Sequence, residues 1–268
     1  MRQVVLALFL AVPAGNCAAA AGNEQGTEQI VQQAVQTELA ADASDHTRWV
    51  YFEVDRKPNL KVEQWVAETG QGDVKRVLEE NGRRLSESEQ HTRMDGFVQN
   101  EAAQAKQQKS RQRDDEQARQ MLSMLPQAFV WTEVNDQNGR TILHFAPNPH
   151  FHPPSYQARV FAAMQGEMTV DDAQHRIASI KGRMIHDVKF GYELFGELRA
   201  GGTFDVERRE LKPGIWQITE THVHIEGRAL IFKSISDEED DVKSQFKQIA
   251  PDLQLANAEK TLMAQKNS

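Results

Sequence analysis

Apolar residues first gather in an almost unbroken run at positions 4–12, behind Met1 and Arg2 and ahead of Pro13 and Gly15. A short apolar run with a positive start, followed by small residues (Ala18, Ala19, Ala20, Ala21), is the pattern of a secretory signal peptide. It is far too short to span a bilayer. The expected division is 1–21 as signal, cut after Ala21 or a neighbouring alanine, and 22–268 as one domain. Residues 22–28 are polar and read as loose. Ile30, Val31, Ala34, Val35 and Leu39 then recur at helical spacing and predict a short amphipathic helix over 29–41.

Alternation follows. Val50, Phe52 and Val54 open a strand over 48–55, and strands over 62–69 and 73–79 continue it as a meander, with turns at Gly70-Gln71-Gly72 and Asn81-Gly82. Ser86-Glu87-Ser88-Glu89 matches a capping box and starts a long helix reaching Leu125. Its middle, 99–120, is almost wholly polar, so it is solvated or an excursion from the core. Residues 86–126 therefore read as a polar helical insertion, ending in a sticky patch of Met121, Leu122, Met124 and Leu125.

Asn138-Gly139 suits the tight turn of a hairpin between 128–135 and 140–146. A Pro-rich loop (147–154) and a helix (155–164) lead to the clearest alternation. A short strand at 167–170 precedes the run 176–190, which places Ala178, Ile180, Met184, Val188 and Phe190 on one side. Strands over 202–211, 215–225 and 228–235 follow, the last two pairing through Glu226-Gly227. An acidic loop (236–241) and a mainly helical end (242–265) close the chain. The order predicts an α+β fold, a curved antiparallel β-sheet with helices packed on one face.

Composition narrows the function. With 39% apolar residues the chain is too polar for a polytopic membrane protein, and no transmembrane segment is expected after the signal. A net charge of −8 argues against general nucleic-acid binding, which needs a basic face. The one cysteine, Cys17, lies inside the signal, so a chain starting at Gly22 has no disulfide, no thiolate ligand and no thiol nucleophile. The competing reading is lipidation of Cys17, which would tether the protein to a membrane, although Asn16 fits poorly before it.

Candidate chemistry is sparse. His222 and His224, two apart on a strand, project to one face with Glu220, and two imidazoles plus a carboxylate suit zinc, copper or nickel. Alternation alone also puts polar side chains on a less buried face, and His144 is not placed as a third imidazole. No metal or other cofactor is therefore expected. There is no Gly-x-Ser-x-Gly, no His-Glu-x-x-His and no phosphate-cradling loop, so the chain is read as a non-enzyme. The strand aromatics Phe190, Phe204, Trp216 and Phe232, and with them Phe52, Trp65 and Trp131, either line an apolar cavity or fill the core.

The stretch 166–235 carries a resemblance. Gly166-Glu-Met-Thr-Val-Asp, Ile180-Lys-Gly-Arg-Met-Ile-His-Asp-Val, Gly201-Gly-Thr-Phe-Asp-Val, Gly214-Ile-Trp-Gln-Ile and Gly227-Arg-Ala-Leu-Ile-Phe-Lys succeed one another in it. With an N-terminal helix, a strand meander and a helical insertion ahead of it, this resembles the lipoprotein-localisation carrier (LolA/LolB-like) superfamily. The resemblance implies a half-barrel whose apolar concave face is closed by helices and accepts acyl chains. It also implies a periplasmic or secreted carrier whose partner is a lipid or lipoprotein. It specifies no catalytic residues, and 99–120 has no place in it. Two other readings stand beside it: an envelope protein that binds a protein partner through 99–120, and a metal-dependent enzyme built on the strand histidines.

Overall fold

The computed structural model describes residues 17–136, 138–155, 157–190, 196–229 and 238–266. The apolar run at 4–12 and Phe232 lie outside them. The first element, α1, spans Cys17–Ser44 and passes through residues 22–28, which were expected to be loose. Four strands follow: β1 (Arg48–Lys57), β2 (Leu60–Ala67), β3 (Val74–Glu80) and the short β4 (Arg83–Arg84). The expected long helix forms as two, α2 (Glu87–Val98) and α3 (Glu101–Ala128). Ser86 caps α2 in a full capping box with Glu89. Asn100 accepts from the Ala103 N–H and starts α3 afresh, which is why the helix breaks there.

Next come β5 (Phe129–Asp136), β6 (Arg140–Pro147) and, within the helix expected over 155–164, a 3-10 helix (Gln157–Ala163). The hairpin turn has Asn138 and Gly139 at φ 56° and 77°, the left-handed conformation that this residue pair tolerates. The chain continues with β7 (Met164–Asp171), β8 (Arg176–Met184), β9 (Val188–Phe190) and β10 (Gly196–Leu198). β11 (Thr203–Lys212), β12 (Ile215–His224), β13 (Gly227–Ala229), β14 (Glu238–Ile249) and α4 (Leu255–Met263) complete it.

Eleven of these strands form one antiparallel sheet in the order β4-β3-β2-β1-β14-β12-β11-β8-β7-β6-β5, and the sheet is open. Strands β13, β10 and β9 form a separate small sheet. Two expectations fall here. The run 176–190 is not one strand, since Val188–Phe190 leaves the large sheet. Of the expected strand over 228–235, the described residues, in β13 (Gly227–Ala229), pair with β10, not with β12.

The largest correction is β14. Residues 238–249 were read as the end of an acidic loop and the start of a helix, yet they form a twelve-residue strand in the middle of the sheet, between β1 and β12. Its polar side chains find ionic partners across the ladders. Lys57 on β1 meets Glu239 at 3.0 Å, and His222 on β12 meets Asp240 at 2.7 Å. Pairing, not propensity, makes it a strand.

The helices cover both faces, not one. Directly paired residues share a face. The chain of pairs Glu53–Lys243, Asp55–Asp241, Asp241–Thr221, Thr221–Val206, Val206–Ile180, Ile180–Met168 and Met168–Leu143 follows one face across the sheet. At the β5–β8 end that face is apolar and packs on Val31, Ala34 and Val35 of α1. At the β1–β3 end the opposite face is apolar. There Val50, Phe52, Trp65 and Val74 pack on Met94 of α2 and on Ala258 and Leu262 of α4. Helix α3 lies beside α1; its Met121, Leu122, Met124 and Leu125 pack on the α1 core, so the sticky patch is helix packing. Among the described residues no helix is long and apolar enough to cross a membrane.

Candidate functional site

The C-terminal half of α1, the middle of α3 and the strands β8, β11 and β12 do not close on one another. They leave an open cleft of about 850 Å³ on the α1 face. Leu39, Leu122, Ile180, Val206, Trp216 and Ile218 give it an apolar wall. Ile218 is a large hydrophobic side chain left 44% exposed there. Asp42, Asp115 and Arg119 stand on its helical rim, and Glu68 on the side of β2.

The floor is ionic and sealed. Glu38 falls on the apolar stripe of α1, one turn beyond Val35, and so is carried into the core. Its carboxylate takes two hydrogen bonds of 3.0 Å from Arg176 and one of 2.8 Å from the Ile177 N–H, and Arg208 pairs with it from β11. The Glu38 and Arg176 side chains are 6% and 7% exposed. Arg176 also donates to the Gly214 carbonyl at 2.9 Å and Arg208 to that of Ile177 at 3.1 Å. Burial alone would raise the Glu38 pKa. Hydrogen bonds from Arg176 and Arg208, with their charges, outweigh it and hold Glu38 below the usual carboxylate range. This network pins α1 to β8 and β11 and fixes the cleft's width.

The rim carboxylates behave differently. Burial, reinforced by the charge of Asp73, pushes Glu68 up to about 7, although the Trp49 N–H donates to it at 2.9 Å. Burial and then Asp42 raise Asp115 as well. Arg119 bridges α3 to Asp42 of α1 at 3.0 Å. Further along α3, Gln107 accepts from the Asp73 N–H at 2.7 Å, and Gln108 donates to the Gly70 carbonyl at 2.9 Å. The polar stretch 99–120 is thus a helix that is hydrogen-bonded to the β2–β3 turn at one end and ion-paired to α1 further along.

Of the expected cavity residues, Trp216 lines the cleft, and its indole N–H donates to Gln174 at 3.1 Å. Phe204 belongs to the α1 core, where its ring lies over Gly182. A Cβ at Gly182 would meet that ring at 2.6 Å, so the glycine makes room for it. Phe190 sits in β9 opposite Gly196, in the small sheet, apart from Trp216 and the cleft strands. Phe52 and Trp65 face α2 and α4, and Trp131 packs in the α1 core.

Glu220, His222 and His224 do come together, on the face of the sheet opposite α1. His222 Nδ1 and His224 Nε2 approach the same oxygen of Asp240, at 2.7 and 3.1 Å, while Glu220 is 3.7 Å from His222. The hydrogen bond that Asp240 accepts from His222 raises the His222 pKa. His144 pairs with Glu167 instead. Among the described residues, no three His, Cys, Asp or Glu side chains are grouped so as to hold a metal ion.

The Glu38–Arg176–Arg208 network was missed from the sequence. Its signals were there: a glutamate on the stripe of Val31, Ala34 and Val35, and an arginine two residues before Ala178 in the alternation of β8. No family model matches the chain, and the curated proteins yield no match.

Proposed function

We propose that this protein is an exported carrier or binding protein of the cell envelope, periplasmic or secreted, that holds an acyl chain or lipidated client in the cleft between α1, α3 and the sheet. The observation that carries this reading is the 850 Å³ space with an apolar wall and a polar rim. Its size falls within the range of small-molecule sites. Burying an acyl chain releases about 0.8 kcal/mol per methylene, so a chain of ordinary length would bind without a specific polar contact. The ionic floor serves rigidity: it is internally satisfied and offers the ligand a fixed wall. An open sheet curved as a half-barrel, with helices closing its apolar concavity, is what the resemblance to lipoprotein-localisation carriers implies, and this reading adopts it for the class of ligand. The role is non-catalytic.

The test is displacement of a fluorescent acyl probe from the purified protein. Wild-type protein should bind the probe saturably and release it to unlabelled fatty acid. Ile218→Lys places a charge on the wall at a side chain already 44% exposed, so it should fold normally and lose the probe. Undiminished binding by the folded variant would refute the cleft as the site.

A further inference from the structure

The ladder between β12 and β14 runs only from Glu220–Val242 to His224–Glu238. Beyond it the two strands part. β14 continues along β1 as far as Ile249–Arg48, and β12 continues along β11 as far as Ile215–Lys212. Both of these outer ladders carry a bulge near the parting, at Val50/Phe52 and at Glu207/Arg208. Bulges bend strands and sharpen their twist, which opens the sheet here. The result is a gap of about 370 Å³ in the middle of the sheet, walled by both branches.

The chemistry of this gap differs from that of the chain as a whole. The protein carries −8 overall, yet Arg209, Lys212 and Lys243 line the gap and, among the described residues, no Asp or Glu does. The carboxylates that steady two of these cations, Glu220 at 2.8 Å from Arg209 and Asp241 at 2.9 Å from Lys243, are not among the lining residues. Lys212 donates to Gln248 across the gap and has no carboxylate partner among the described residues. Because the ladder stops, alternate main-chain groups of both branches also face the gap instead of a neighbouring strand.

A second observation is independent of charge. The chain has four tryptophans. The indoles of Trp65, Trp131 and Trp216 donate to Lys266 O, Leu125 O and Gln174 Oε1, at 3.2, 3.2 and 3.1 Å. Trp49, on the wall of the gap and 2% exposed, has an enclosed Nε1–H with no acceptor among the described residues. A buried donor without a partner is costly and calls for a reason. The charged side chains lining the gap beside it are all cationic.

We propose that the gap between β12 and β14 is an anion site, taking a phosphate or carboxylate group borne by a small molecule between Lys212, Arg209 and Lys243. It is separate from the acyl cleft and stands or falls without it. The anion would draw on charge-assisted hydrogen bonds from the cations, the stronger kind.

The test is an NMR titration of the full chain with inorganic phosphate, and in a second arm with succinate, each against sodium chloride at equal ionic strength. The Trp49 indole N–H is assigned by its contacts with the Phe246 ring, which stands edge-on at 6.0 Å. It should shift saturably with one or both anions, while the other three indoles stay in place, and the arm that saturates at lower concentration names the source. Lys212→Glu should weaken binding at least about tenfold. Lys212 is exposed, so the fold should survive. A Trp49 signal that does not move, one that moves equally with chloride, or undiminished binding by Lys212→Glu would overturn the proposal.

Discussion

The same face of the same sheet is held in two ways. Over β5–β8 it is apolar, with Leu143, Met168 and Val170 fully enclosed beneath α1. Over β14, β1 and β2 it carries Asp241, Lys243, Glu53 and Gln64, which pair with one another and with Lys75. The helices that bury β1–β3 have moved to the opposite face. One half is stabilised by removing apolar surface from water, the other by mutual neutralisation beside a small buried cluster of Trp49, Tyr51 and Val66. The cleft opens on this face, where the α1-covered core gives way to the charged half.

The contrast can be broken hardest at the buried ion pair of Glu38 and Arg176 inside the apolar half. Arg176→Ala would leave Glu38 buried with part of its compensation gone. It should cost about 3–5 kcal/mol, read as a fall in the urea midpoint. Leu143, with no exposure, tests the apolar half itself: Leu143→Ala should cost about 3 kcal/mol in the same assay.

Glu68 sharpens the comparison through pH. Its folded pKa, about 7, lies above the unfolded value near 4.5, so the folded chain holds a proton that the unfolded chain has released. Stability should therefore fall as pH rises from about 4.5 to about 7. Glu68→Gln keeps an acceptor for the Trp49 N–H and removes the charge. It should match wild type near pH 4 and exceed it by up to about 3 kcal/mol above pH 7, measured by denaturation across that range. The smallest effect belongs to the polar half. Lys75, partly exposed and 3.3 Å from Glu53, should cost under about 1 kcal/mol on change to Ala, and a cost like that of Arg176→Ala would erase the distinction.

The contrast also explains what the sequence reveals. The β1–β3 meander, the Asn138-Gly139 hairpin and the Ser86 capping box were legible because local chemistry and burial agree there. β14 was not, because Glu-Glu-Asp-Asp-Val-Lys-Ser-Gln-Phe-Lys-Gln-Ile has no clean period of two. Its strand conformation comes from partners nearly two hundred residues away on β1 and some twenty residues away on β12. Helix placement was illegible for a related reason: an amphipathic stripe shows that a face is buried, not which side of the sheet buries it. In the cleft, Trp216 could be picked out as an aromatic on a strand. The Glu38 network required reading a charge on an apolar stripe as a deliberate contact, and Arg208, next after Phe204 and Val206 in the alternation of β11, called for the same reading.

The acyl cleft is tested most directly by expressing the chain in a bacterial envelope, purifying the soluble protein without detergent, and recording its native mass alongside a lipid extract. A bound mass in the lipid range on the wild type, absent from equally folded Ile218→Lys, is the expected result. A clean ligand-free mass on the wild type, with no lipid in the extract, would contradict the account.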